Sequence, residues 1–485
     1  MFHQGRACPK MVEQTKEGWR LQCRIVYNRE QRGESQIISV PERQLSALSA
    51  TAARKAMEAG EFTAEELTRA CLDRIAERED VVGAWASLDE NLALDQARAL
   101  DAKKDAGEAL GPLHGLPVGV KDIFDTADMP TECGSEYYAG RQPLEDSAVA
   151  ALLRRAGAVI MGKTVTTEWA LSAPGKTANP HDPKRTPGGS SSGSAASVAD
   201  NMVPLSIGTQ TGGSMIRPAS FCGVFGYKPT FGSIPRCGIS MLARRLDTIG
   251  VYGREVEDLA LLADALMAHD PGDWDMRSSP GQELVAALEE KPADPPRLAF
   301  VRTPAWDEAE DDMAKALEEY IAGLGDVVRE VELEGVFADI VSTHRTVIHA
   351  NVAANLGEVA EKAPDKMRKE TMERVDAGNA IASADYIRAL GRAEAQAQAL
   401  DRLFDHYDAL LAPSATGQAP VGLGFTGNHV FNGMWTLLGV PSVSVPLLKG
   451  ADGMPIGVQV IGRRGEDAKA LKTARWLWDR FEDKG

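Results

Sequence analysis

Met202-Val203-Pro204-Leu205-Ser206-Ile207 runs directly into Gly208-Thr209-Gln210-Thr211-Gly212-Gly213-Ser214, and Pro218 follows shortly after. A short apolar run reads as a buried strand, clustered glycines read as a turn, and proline is tolerated in the first turn of a helix. The stretch therefore predicts strand, turn and helix, with Ser214 at the turn. A second glycine-rich turn surrounds Ser190, 24 residues upstream, in Thr186-Pro187-Gly188-Gly189-Ser190-Ser191-Ser192-Gly193-Ser194. Glycine permits backbone shapes that a Cβ would block, so a serine flanked by glycines can bring its hydroxyl and neighbouring N–H groups onto one small substrate. Unpaired N–H groups at such a turn can hold the oxyanion of a tetrahedral intermediate, worth about 3 to 4 kcal/mol per donor. Ser214 is the candidate nucleophile, and Thr211, Gly212 and Gly213 are the candidate oxyanion donors.

Outward from these turns, helix and strand patterns alternate. Thr63-Ala64-Glu65-Glu66 is a capping box, with Leu67, Cys71 and Ile75 at helical spacing behind it. Asp146 to Ala156 reads as a helix stopped by Gly157, and Ala158 to Met161 as a buried strand. Phe404 to Leu411, Pro441 to Leu447 and Gly457 to Ile461 read as late strands of the same sheet. The pattern argues an α/β fold, a central mixed sheet covered by helices. Residues 335–405 are helical and charged and are expected to form a variable wall on the substrate side. Residues 1–43 are polar and mixed and read as a dispensable extension; residues 44–485 read as one catalytic domain.

Gly157-Ala158-Val159-Ile160-Met161-Gly162-Lys163-Thr164 satisfies the phosphate-loop pattern, but a helix precedes it and a strand occupies the loop positions, so phosphate binding is set aside. His344 and His349 are five apart and do not share a helical face as a zinc pair would, and no CxxC pair is present, so no metal is expected. The acidic run Asp307 to Asp312 reads as a solvated helix start.

The net charge of -17 argues against nucleic acid or an anionic membrane as a partner, both being polyanions. Six cysteines (Cys8, Cys23, Cys71, Cys133, Cys222, Cys237) lack the dense spacing of a disulfide framework, which implies a reduced compartment. With no signal-like apolar run and no apolar stretch of membrane length, the expected location is cytoplasmic.

Lys121, in Pro117-Val118-Gly119-Val120-Lys121-Asp122, completes the picture through a resemblance. Together with the two serine turns, Leu113-His114-Gly115-Leu116-Pro117, Asn179-Pro180-His181-Asp182-Pro183, Phe221 to Thr230 and Pro455-Ile456-Gly457-Val458-Gln459, it closely resembles the amidase signature family of Ser-cisSer-Lys amide hydrolases, from Gln44 to Gly462. The resemblance implies the amidase-signature fold, with helices on both faces of the sheet. It also implies a Gly189-Ser190 cis peptide, and a relay in which a neutral, buried Lys121 takes a proton from Ser190, which takes one from Ser214. Burial without a carboxylate partner lowers a lysine's pKa, which makes the neutral amine reasonable. Asp122, adjacent in an extended segment, is expected to point the opposite way.

Two departures from the commonest family pattern bear on substrate. Gln210 stands where many members have aspartate, and Arg217 lies three residues after Ser214 rather than two. That shift turns a helical side chain by about 100°. Arg217, helped by Thr209, is thereby freed to reach a substrate carboxylate, as in the malonamidase-like branch; alternatively it pairs with an internal acid or carbonyls. The expected activity is hydrolysis of a small amide, or of a carbamate (a urethanase reaction) or related carbonyl, through acyl-Ser214 and with no cofactor. An amidotransferase-type subunit working with partner chains, or a non-hydrolytic binding protein on the same scaffold, is the alternative. Whether the chain forms a homodimer is left open.

Overall fold

The computed structural model describes residues 45–276, 283–290 and 294–482. The extension expected over residues 1–43 lies outside the described residues.

Among the described residues eleven strands form one sheet: β1 Trp85–Leu88, β2 Pro117–Lys121, β3 Val159–Thr164, β4 Leu205–Gln210, β5 Phe225–Lys228, β6 Thr248–Gly253, β7 Leu298–Arg302, β8 Val328–Glu332, β9 Ala409–Pro413, β10 Ser442–Lys449 and β11 Pro455–Ile461. Their order is β1-β3-β2-β4-β6-β5-β10-β11-β9-β7-β8. β2 runs parallel to β3 and β4, and β7 parallel to β8 and β9, whereas β6, β5, β10 and β11 pair antiparallel through the middle. The sheet is therefore mixed. Strands β2, β3 and β4 are buried along their whole length, as expected of strands covered on both faces.

Helices flank the sheet. Among them are α1 (Ala64–Val82), α2 (Ala148–Arg155), α3 (Ser192–Ala199), α4 (Ile216–Cys222), α5 (Ile340–Lys362), α6 (Lys369–Asn379), α7 (Ser383–Leu403) and α8 (Val430–Leu437). α1 begins at the capping box read from the sequence: Thr63 accepts from the Glu66 N–H, and the Glu66 carboxylate accepts from the Thr63 N–H. α2 ends before Gly157, whose φ of +81° takes the left-handed shape open to glycine. No helix among the described residues is long and apolar enough to cross a membrane.

Three boundaries differ from the expectation. β3 runs on through Thr164, and β4 through Gln210, so Gly208 and Thr209 belong to a strand rather than a turn. A Cβ at Gly208 would stand 2.5 Å from Ser191 Oγ, so this glycine serves close packing. Phe404, expected to open a late strand, instead caps the C-terminus of α7, and the strand begins at Ala409. β3 also confirms that Gly157 to Thr164 is no phosphate loop. Lys163 is fully buried, donating to the carbonyls of Phe124 and Pro130 and to the Thr131 hydroxyl.

Candidate functional site

Lys121 is the last residue of β2, in the interior of the sheet, and is fully buried. Its Nζ lies 2.8 Å from Ser190 Oγ and 3.0 Å from Thr209 Oγ1. No carboxylate lies within ion-pairing distance of it among the described residues. Burial therefore dominates and lowers its pKa to about 7, only partly opposed by the field of Asp247. Asp122, next in sequence, does point elsewhere: its carboxylate accepts from the Glu132 N–H and sits 3.6 Å from Lys163.

Ser190 precedes α3 and follows a cis peptide from Gly189. Glycine is needed before it, because a Cβ at Gly189 would come within 2.7 Å of Thr426 and 3.0 Å of Thr167. Exposure rises along the line from Lys121 (0%) through Ser190 (1%) to Ser214 (8%), which lines a cavity of about 510 Å³. The geometry joins Lys121 to Ser190. No hydrogen bond links Ser190 to Ser214 among the described residues, and catalytic hydrogen bonds often tighten only when substrate binds.

The turn from Thr211 to Met215 is fastened through its carbonyls. The Thr211 oxygen accepts from His344 Nε2 at 3.0 Å, Gly212 from Thr436 Oγ1 at 2.8 Å, and Gly213 from the Arg217 N–H at 3.0 Å. Tyr252 Oη donates to the Ser214 and Met215 oxygens. The N–H groups of Met215 and Ile216 are taken by Gln210 Oε1, at 2.9 and 3.0 Å. Those of Thr211, Gly212 and Gly213 donate to no described residue. With one side tied and the other free, the turn presents N–H dipoles beside Ser214, the arrangement an oxyanion requires. Helix α8 packs so close that a Cβ at Gly212 would meet His429 at 2.7 Å, and one at Gly213 would meet Asn432 Oδ1 at 2.4 Å. The double glycine is a packing requirement as much as a turn signal.

Arg217, on α4, is 4% exposed and lines the cavity. Its Nη2 donates to the Gly189 carbonyl and to Thr426 Oγ1, while Nε and Nη1 are buried without a partner among the described residues. Among the described residues no acid pairs with it, and burial lowers its pKa to about 10, still charged at neutral pH. Thr209 is not brought to that task, since its hydroxyl accepts from Lys121 behind Ser190.

Sequence reasoning gave no part in this turn to His344, Thr436, Tyr252, Asn432 or His429. His344, on α5, is buried, which pushes its pKa down against the opposing hydrogen bond to Thr211, and its Nε2 must carry the proton it donates to Thr211. Asp247 fixes the same turn from its side chain, accepting from Thr211 Oγ1 at 2.6 Å. His114, given a structural role in the sequence, is buried away from the cavity residues.

A family model described as Amidase matches residues 66–471. The A subunit of the glutamyl-tRNA(Gln) amidotransferase of Chloroflexus aurantiacus is 34% identical over 470 residues, covering 89% of this chain and 96% of the relative. Its counterpart from Chlamydia pneumoniae is 32% identical over 466 residues, covering 88% and 94%. Among solved structures, the native peptide amidase of Stenotrophomonas maltophilia is similar with a TM-score of 0.79 at 29% identity, covering 91% of this chain and 98% of that one. A structure from a vestigial protein complex described as revealing the evolutionary origins of an s-triazine catabolic enzyme is similar with a TM-score of 0.84 at 28% identity, covering 89% and 98%.

Proposed function

Because the chain belongs to the amidase signature family, whose chemistry acts on C–N bonds, we propose that it hydrolyses a small amide, carbamate or related carbonyl through an acyl-Ser214 intermediate. Ser214 Oγ attacks the carbonyl carbon, and its proton passes through Ser190 to the neutral amine of Lys121. The carbonyl oxygen, now negative, is held by the N–H groups of Thr211, Gly212 and Gly213. Collapse breaks the C–N bond as the proton returns along the same line to the leaving nitrogen. Water then repeats the sequence in reverse and frees the acid. No step calls on a cofactor.

The observation that carries this reading is Lys121: fully buried, bonded to hydroxyls alone, and lowered by burial to about 7. An ammonium ion in that place would be costly, whereas a neutral amine is the base that a serine relay needs. Arg217, buried with two donors unpartnered, supports a substrate that brings negative charge into this cavity. The test is covalent labelling of purified protein by a sulfonyl fluoride or phosphonate, followed by peptide mapping. Stoichiometric label on Ser214 is expected, and label retained in Ser214→Ala would overturn the assignment.

A second reading, an amidotransferase-type subunit that works with a partner chain, is favoured by the 34% identity to the Chloroflexus aurantiacus amidotransferase chain. Ammonia released from small amides by the isolated chain would decide for the self-contained hydrolase. A non-hydrolytic scaffold is disfavoured by the presence together of Lys121, Ser190 and Ser214.

A further inference from the structure

The chain carries a net charge of -17, yet among the described residues the cavity above Ser214 is lined by three arginines, Arg217, Arg345 and Arg374, and a single carboxylate, Glu308. Arg345 and His349 stand one turn apart on α5, a spacing that puts both on one helical face. Arg374 reaches across from α6, its Nη1 2.9 Å from His349 Nε2. α5 and α6 pack tightly enough for this that a Cβ at Gly378 would meet the His349 carbonyl at 2.1 Å. A guanidinium only donates, so His349 accepts and is neutral. Burial and the two guanidiniums hold it at about 4, consistent with that role. Arg374 is thus positioned by a neutral partner that leaves its charge uncompensated.

Among the described residues no carboxylate lies within 4.0 Å of Arg345 or Arg374. Elsewhere among the described residues some arginines are answered, Arg236 by Asp273 and Asp275 and Arg141 by Asp125, whereas exposed ones such as Arg155 and Arg245 are not; Arg345 is itself exposed, and Arg374 is half-buried. Two unanswered guanidiniums on one wall, with Arg217 near the nucleophile, suit a ligand that brings negative charge of its own. Forked donors match a carboxylate in particular. The same wall is a poor place for an ammonium group, since Glu308 is the lone acid and lies 3.4 Å from Asn428 Nδ2.

We propose that Arg345 and Arg374, the latter positioned by His349, form a second anion subsite on the α5–α6 wall, so that the substrate of Ser214 carries a carboxylate remote from its scissile carbonyl and no amino group. This deepens the hydrolase reading, on which it rests, and names its substrate class as mono-amides of dicarboxylic acids.

The experiment has two arms. In the first, kcat/KM is measured for succinamate, glutaramate and adipamate and for butanamide, pentanamide and hexanamide, in wild type and in the Arg345→Gln/Arg374→Gln variant. The acid-to-neutral ratio should fall by about 10- to 100-fold at the best-fitting length, the loss typical of a charge-assisted pair. A ratio unchanged at all three lengths overturns the subsite. The second arm needs no chemistry: calorimetric titration of succinate, glutarate and adipate into Ser214→Ala protein, with and without the double substitution. Saturable binding that the double substitution removes is expected; absent binding, or equal binding in both proteins, overturns the proposal. If no amide is hydrolysed while that binding holds, the hydrolase reading falls and the subsite stands. The thermal midpoint of each variant verifies folding.

Discussion

His344 Nε2 donates to the carbonyl oxygen of Thr211 across 133 residues of sequence and 3.0 Å of space. The helical wall over the cavity and the turn at residues 211–214, proposed to present the oxyanion donors, are thus one mechanical unit. His344→Ala leaves a buried carbonyl without a donor, a loss of about 1 to 3 kcal/mol. We expect kcat to fall about 10- to 100-fold with a smaller change in KM, and Gln at this position to recover part of it. A parallel rise in KM alone, by steady-state kinetics, would show that the contact serves binding rather than the turn.

In the proposed relay, Lys121 sets the pH dependence. Its folded-state pKa is lowered to about 7 from the ordinary lysine range. The active, neutral form is therefore lost as pH falls through that value and persists as pH rises. The kcat/KM profile should show an acid limb near pH 7 and a plateau into the alkaline range. The sign for stability follows the same shift. Between about 7 and the unfolded value the unfolded chain binds the extra proton, so this residue's contribution to stability rises with pH across that window. Lys121→Met should remove that contribution, read as a flatter dependence of thermal midpoint on pH.

Each member of the relay should matter about equally. Ser190→Ala and Lys121→Ala are expected to lower kcat by orders of magnitude, close to the loss in Ser214→Ala, and the double variants to add little, because a relay fails when any link is absent. Additive losses in single-turnover assays would mean that Ser190 acts apart from Lys121.

Arg217→Lys separates two uses of one side chain. Lysine keeps the charge but not the fork. If the guanidinium grips a carboxylate near the nucleophile, kcat/KM for malonamate should drop at least 10-fold against propanamide. If the donation to Gly189 is its whole purpose, both substrates should decline together with the thermal midpoint.

Gly213→Ala tests the packing of α8 on the turn. The added methyl would sit 2.4 Å from Asn432 Oδ1 and 2.8 Å from His429 Cβ. Overpacking of this sort costs about 1 to 3 kcal/mol, and chemical denaturation should show it as a lower midpoint with an unchanged slope.

Much of this molecule could be read from its chain because the signals are local. The capping box at Thr63 and Glu66, the helix stop at Gly157 and the strand before the nucleophile turn each depend on neighbours within a few residues. The same local logic misread Gly208. A glycine in a strand and a glycine in a turn look alike in sequence, and only the approach of Ser191 Oγ to that position tells them apart. Likewise Phe404 is apolar enough to open a strand, but the preceding helix runs far enough to claim it. The fasteners of the turn, His344, Thr436, Tyr252 and Asp247, were illegible for a different reason. They lie from 36 to 224 residues away from the groups they hold, and none stands in a motif. The arrangement of Arg345, His349 and Arg374 needed α5 and α6 laid side by side before it could be seen.

Because His344 belongs to α5, the helices proposed to select the substrate cannot be exchanged as an interchangeable part. A chimera that imported residues 340–403 from another member of the family would discard the hydrogen bond that holds the turn at residues 211–214, unless the donor also offers an N–H at position 344. Recombination within such proteins should therefore favour crossovers that carry the glycine turn and this wall together, and breeders of new specificities would do well to move them as one cassette.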